Sequence, residues 1–186
     1  MKIALLPLPF FLLLHILNGQ AIRIQPYLQD ASPNSIHILW ETDSGEESTV
    51  EWGLSEELGF ETTGIAYPSN GNAQVHEVQL TGLERFTRYY YRVKTGTAVS
   101  DVFSFRTPPF ASDQQSFRLV AMSDMQRDNS QPDKFREIVE EGVLSYLSNG
   151  DAAIEDELAL VMIPGDLVVN GNNYDQWKNT FFDPSM

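Results

Sequence analysis

Two periodicities divide the chain. Up to about residue 108, apolar and polar positions alternate in short runs. These are Ser35-Ile36-His37-Ile38-Leu39-Trp40, Thr49-Val50-Glu51-Trp52, Gln74-Val75-His76-Glu77-Val78-Gln79-Leu80, Arg88-Tyr89-Tyr90-Tyr91-Arg92-Val93 and Val102-Phe103-Ser104-Phe105. Successive side chains of a strand point to opposite faces, so period two predicts half-buried strands. Turn-forming clusters separate them: Ser32-Pro33-Asn34, Asp43-Ser44-Gly45, Ser69-Asn70-Gly71-Asn72 and Thr95-Gly96. Short strands at this spacing, with no helical period between them, predict an antiparallel β-sandwich over residues 22–108. His37 and His76 alternate with apolar neighbours and are expected on the outward face.

Thr107-Pro108-Pro109-Phe110 cannot continue a hydrogen-bonded ladder, because proline has no N–H to donate. A linker is expected at 109–116. From Phe117 the pattern becomes strand, helix, strand. Phe117-Arg118-Leu119-Val120-Ala121-Met122 and Ala159-Leu160-Val161-Met162-Ile163 read as buried strands. Between them Phe135, Ile138, Val139, Val143, Tyr146 and Leu147 recur at helical spacing. Ser130-Gln131-Pro132-Asp133 starts that helix and Asn149-Gly150 stops it. Tyr174, Trp177, Lys178 and Phe181 mark one face of a last short helix, expected to pack. A strand, a crossover helix and a second strand form a parallel βαβ unit.

Each of these strands ends in a carboxylate: Ser123-Asp124-Met125-Gln126 after the first, Pro164-Gly165-Asp166 after the second. In open α/β sheets that edge holds ligands. Two carboxylates brought close repel one another unless a positive charge lies between them, and a shared cation supplies it.

Charge and composition narrow the partners. The chain has 186 residues and a formal net charge of −14, spread along its length. Such a surface repels phosphate backbones, so no nucleic-acid partner is expected. There is no cysteine, hence no disulfide framework and no thiolate site. Lys2 precedes an apolar run from Ile3 to Leu17, and Gly19 and Ala21 stand at the −3 and −1 positions of a cleavage after Ala21. Residues 1–21 are therefore expected to be a signal peptide. The run is short for a membrane span. A secreted or periplasmic protein with no integral membrane span after cleavage is the expectation.

The run Thr81-Gly82-Leu83-Glu84-Arg85-Phe86-Thr87-Arg88-Tyr89 resembles fibronectin type III-like domains, with Leu83 and Tyr89 at the places of the tyrosine corner and Trp40 at that of the core tryptophan. Ser123-Asp124-Met125-Gln126 and Pro164-Gly165-Asp166-Leu167-Val168-Val169-Asn170-Gly171 resemble the opening motifs of calcineurin-like metallophosphoesterases. The combination resembles the purple acid phosphatase-like enzymes. It implies an N-terminal all-β sandwich followed by an incomplete α/β metallophosphoesterase domain over 117–186. It also implies a metal-dependent phosphatase acting on a small phosphate ester with two divalent or trivalent ions, Fe, Mn or Zn unresolved. By this resemblance Asp124 ligates the first metal, Asp166 bridges the two, and Gln126 stands where many relatives carry a ligand histidine. No residue is assigned as catalytic.

Three departures follow. Gln126 is a weaker donor than imidazole. Val169 occupies the place of the tyrosine that colours purple members, so no charge-transfer band is expected. The family's later Gly-Asn-His and other histidine motifs are absent; the only histidines are His15, His37 and His76. The expectation is a fragment that lacks the C-terminal remainder of its domain, with an exposed apolar face over 117–186 and doubtful activity alone. The alternative is a secreted β-sandwich binding module with a non-catalytic α/β remnant.

Overall fold

A computed structural model describes residues 20–147 and 153–185 of the chain. The expected leader falls largely outside the described residues, as does the expected helix stop at Asn149-Gly150. Gln20 and Ala21, the last residues of that leader, hydrogen-bond within the sandwich: Gln20 to Ser44 and Thr97, Ala21 to Asp43.

Nine strands build two antiparallel sheets. They are β1 (Ile22–Ser32), β2 (Ser35–Thr42), β3 (Thr49–Gly53), β4 (Phe60–Thr63), β5 (Ile65–Pro68), β6 (Gln74–Thr81), β7 (Arg88–Thr95), β8 (Ala98–Val99) and β9 (Phe103–Arg106). One sheet has the order β1-β2-β6-β5. The other runs β4-β3-β7-β8, with β9 also on β7. Each alternating run of the sequence became a strand. β1, an edge strand, tolerates Pro26 because its ladder breaks register between Ile24 and Tyr27. The chain passes from one sheet to the other between β4 and β5 at Gly64, where a Cβ would lie 2.0 Å from the Glu77 carbonyl oxygen. Only glycine allows that approach.

The core gathers Ile36, Ile38, Trp40, Val50, Val78, Leu80, Leu83, Tyr89, Tyr91, Val93 and Phe105. Trp40 is fully buried, and its indole N–H donates to Thr95 Oγ1 at 3.0 Å, across to the opposite sheet. The tyrosine corner forms as expected: the Glu84 N–H donates to the Tyr89 hydroxyl at 2.9 Å.

His76 corrects the reading of an outward-facing residue. It shares the parity of Val78 and Leu80 on β6, and like them it is fully buried. Its ring stacks on Trp40 at 4.8 Å. Ser48 Oγ lies 2.8 Å from Nδ1 and Thr42 Oγ1 2.8 Å from Nε2, so both nitrogens have partners inside. His37 does face outward, paired with Glu77 at 2.7 Å.

Beyond the sandwich, β10 (Arg118–Ala121) and β11 (Leu158–Met162) pair in parallel, Leu119 opposite Leu160 and Ala121 opposite Met162. Helical segment 134–147 lies between them in sequence. It starts as α-helix, widens to a π-helix over Ile138–Leu144, and closes with one α turn. Gly142 lies in the widened part, where glycine lowers the cost of leaving α geometry. A helical turn at Ile154–Glu157 leads into β11.

The two strands are not buried, contrary to expectation. Leu119, Leu160 and Met162 are 47%, 48% and 49% exposed. A strand's own apolar content does not bury it; covering layers do, and among the described residues the sheet has only two strands. Among the described residues of 117–186, exposed apolar side chains are present as expected, Phe117, Leu119, Leu160, Val161 and Met162 among them. The last helical segment, 174–185, packs through Phe181, which stacks on Phe135 at 5.3 Å. Among the described residues, no helix is long and apolar enough to cross a membrane.

Candidate functional site

The site develops from the ends of β10 and β11. Past the last ladder pair, the Met122 N–H still donates to the Met162 carbonyl at 3.1 Å. Both chains then turn sharply, and in each the turn residue is the aspartate: Asp124 has φ +59° and Asp166 has φ +53°. Left-handed backbone is unfavourable for most L-residues but accessible to Asp, whose short side chain bonds locally. Ser123 Oγ donates to the Asp124 carboxylate. The two turns are then tied together, because the Gln126 N–H donates to the Asp166 carbonyl at 3.1 Å.

Met125 is buried and anchors the first turn. Next to it in the chain, Gln126 Oε1 is buried without a hydrogen-bond partner. A buried acceptor left unpaired costs about 1–3 kcal/mol, so an orphan of this kind calls for an explanation. Asp124 and Asp166 themselves are exposed. The structure therefore joins Gln126 to Asp166 directly, with Asp124 two residues away on the same turn.

Neighbouring groups fill supporting places. Asp128 Oδ1 accepts from the Ser130 and Gln131 N–H groups, each at 2.8 Å. The Gln131 N–H, Lys134 and the Ser130 N–H hold the Asp128 carboxyl below its usual range. Lys134 Nζ also reaches the Asp124 carbonyl at 3.2 Å and Asp128 Oδ2 at 3.2 Å. Lys134 carries a positive charge bonded to the first turn, and sequence reading passed over it; its place straight after Pro132-Asp133 at the helix start was the available signal. Asn170 is used locally, its Oδ1 accepting from the Asn172 N–H at 3.0 Å. A cleft of about 310 Å³ opens beside these loops, lined by Arg127, Asp128, Asn129, Asp175 and Asn179 among others.

By residue type, two carboxylates and an amide oxygen are the hard oxygen donors that a hard cation takes; the contact that joins the two turns is the backbone bond from Gln126 to Asp166. It does not amount to a two-metal centre. Among the described residues, no group of three or more His, Asp or Glu side chains is placed to hold a metal. The two described histidines lie in the sandwich, one of them sealed in its core.

Residues 22–107 match the family model of the purple acid phosphatase N-terminal domain. This stretch forms a purple acid phosphatase-like N-terminal domain. An acid phosphatase of Aspergillus ficuum is 31% identical over 116 residues, which is 53% of this chain and 19% of that protein. A solved structure of PhoD resembles 78% of this chain with a TM-score of 0.50 at 18% identity, and the match covers 27% of PhoD. The third fibronectin III domain of the human KIAA0343 protein covers 52% of the chain at 16% identity with a TM-score of 0.32, the match taking in 86% of that domain. The chain thus spans about a fifth of the acid phosphatase and about a quarter of PhoD. The purple acid phosphatase-like domain accounts for β1 to β9; the paired aspartates lie beyond it.

Proposed function

We propose that the turns after β10 and β11 hold a metal ion and belong to a phosphoester-hydrolysing site, next to a sandwich that supports it. The observation that carries this reading is the buried, unpartnered Gln126 Oε1, on a turn whose backbone is tied to the Asp166 turn. The fold likeness to PhoD, which extends past the sandwich, and the acid phosphatase relative support the same direction.

Asp124, Asp166 and Gln126 would hold one divalent or trivalent ion; their oxygens leave Mn, Fe and Zn as candidates. Such an ion, when bound, polarises a phosphoryl oxygen and lowers the pKa of water. The chain's own residues orient the donors. The Gln126 N–H bond to the Asp166 carbonyl fixes one turn against the other, and Ser123 orients the Asp124 carboxylate. The open cleft beside the loops gives a small ester room to approach, and Arg127 at its wall is a cation for its phosphate. A second ion would need donors beyond this set. We also read residues 1–21 as an export leader, which places the protein in the periplasm or outside the cell.

The test is phosphate binding read by ³¹P line broadening. With Mn²⁺ present, inorganic phosphate should broaden on adding the wild-type chain beyond the effect of free Mn²⁺, and Asp166→Ala should remove that increment. An identical increment from Asp166→Ala would exclude the proposed site.

A further inference from the structure

The segment that carries Asp166 is fastened to the sandwich on both sides. Upstream, Asp156 lies between two arginines of the second sheet. Its Oδ1 is 2.6 Å from Arg106 Nη2, and its Oδ2 pairs with Arg88. Arg88 and Arg106 stand directly opposite each other on β7 and β9, so their charges repel without an anion between them. Asp156 stands two residues before β11. The next residue, Glu157, pairs with Arg118 at the start of β10. Downstream, the Tyr174 hydroxyl donates to Glu41, which is only 2% exposed. Ser69 Oγ also donates to Glu41, at 3.2 Å. Arg23 lies 3.7 Å from Glu41 and stacks over the Tyr174 ring at 5.0 Å. Burial, and then Glu41, push the Tyr174 hydroxyl pKa upward, so it remains a donor. Phe182 rests on Tyr27 at 5.2 Å.

These anchors bracket residues 156–174, which contain β11 and the Asp166 turn. β10 and β11 have no third strand among the described residues and little burial of their own. Their placement must come from outside the pair. We propose that the sandwich is the positioning element for the Asp166 turn, with Asp156 and Tyr174 as the two positioning residues. What the turn holds rests on the reading above; the anchoring does not.

Amide hydrogen exchange on the full chain tests this. Asp156→Asn combined with Tyr174→Phe should speed exchange across 158–171 by about tenfold or more while amides of β2, β3, β6 and β7 keep their rates. Asp156→Glu, which keeps the charge, should stay close to wild type. Glu51→Gln, which breaks the pair with Arg92 and Lys94 within the sandwich, should leave 158–171 unchanged. If the double variant fails to fold, Tyr174→Phe alone is read in the same way. Unchanged exchange over 158–171, or an equal rise throughout the sandwich, would overturn the proposal. Mn²⁺ titration of the same proteins separates the two ideas. If wild type binds no Mn²⁺, the metal reading fails, and the exchange rates still decide the anchoring.

Discussion

Gln126 is the residue on which the proposed metal site turns. Its amide oxygen is buried and unpaired, so the folded protein carries an unfavourable group. Gln126→Leu keeps the bulk and removes the orphan. In EDTA it should raise stability by about 1 kcal/mol in urea denaturation, and it should weaken Mn²⁺ binding by about tenfold. A mere loop residue would change neither. His76 gives a second test. Burial lowers its pKa from 6.5 to about 4. The unfolded chain therefore takes up a proton near pH 6.5 that the folded chain refuses until about pH 4. Stability is intact above that window and falls as pH drops through it. The urea midpoint should decline between pH 6.5 and 4, and His76→Gln should flatten that decline. The position of His76 was legible in the sequence, since it shares parity with Val78 and Leu80; giving weight to its polarity over its parity hid this. The burial of Gln126 was not legible. It follows from how the turn after Asp124 is tied to the Asp166 turn, which no local pattern encodes.

Among the elements, the alternating strands could be read because one buried face imposes period two on the sequence. The tyrosine corner could be read for a similar reason: one hydroxyl must meet one N–H a fixed distance back in the chain. Tyr89→Phe would leave the Glu84 N–H without its partner and should cost about 1–2 kcal/mol of sandwich stability, measured by urea denaturation. The strands β10 and β11 show where such reading stops. Their apolar sequences correctly signalled strands in a parallel pair, yet implied a burial that only covering layers can provide. The π-widening of segment 134–147 was likewise hidden, because the spacing of Phe135, Ile138 and Val139 suits an α-helix equally well. Leu119→Lys with Met162→Lys should cut the binding of an apolar dye while changing stability by no more than about 0.5 kcal/mol, since both side chains are half exposed.

At the scale of the molecule, a well-packed sandwich supports a small parallel unit that cannot bury itself. Asp156, Tyr174 and Phe182 join them, and the aspartate turns stand at the far end of β11 from Asp156. The division of the chain at the prolines after β9 was visible in the sequence; the contacts across it were not, because Asp156 meets Arg88 from 68 residues away. The acidic surface, with a net charge of −14, attracts cations loosely everywhere, so a specific site must be told from this background. Calorimetric titration of Mn²⁺ into the full chain at about 0.15 M salt, where exposed charges are screened, does so. One saturable ion per wild-type chain is expected, with affinity falling at least about tenfold in both Asp124→Ala and Asp166→Ala while the sandwich stays folded. No saturable binding by wild type, or equal affinity in all three proteins, would refute the metal site at the ends of β10 and β11.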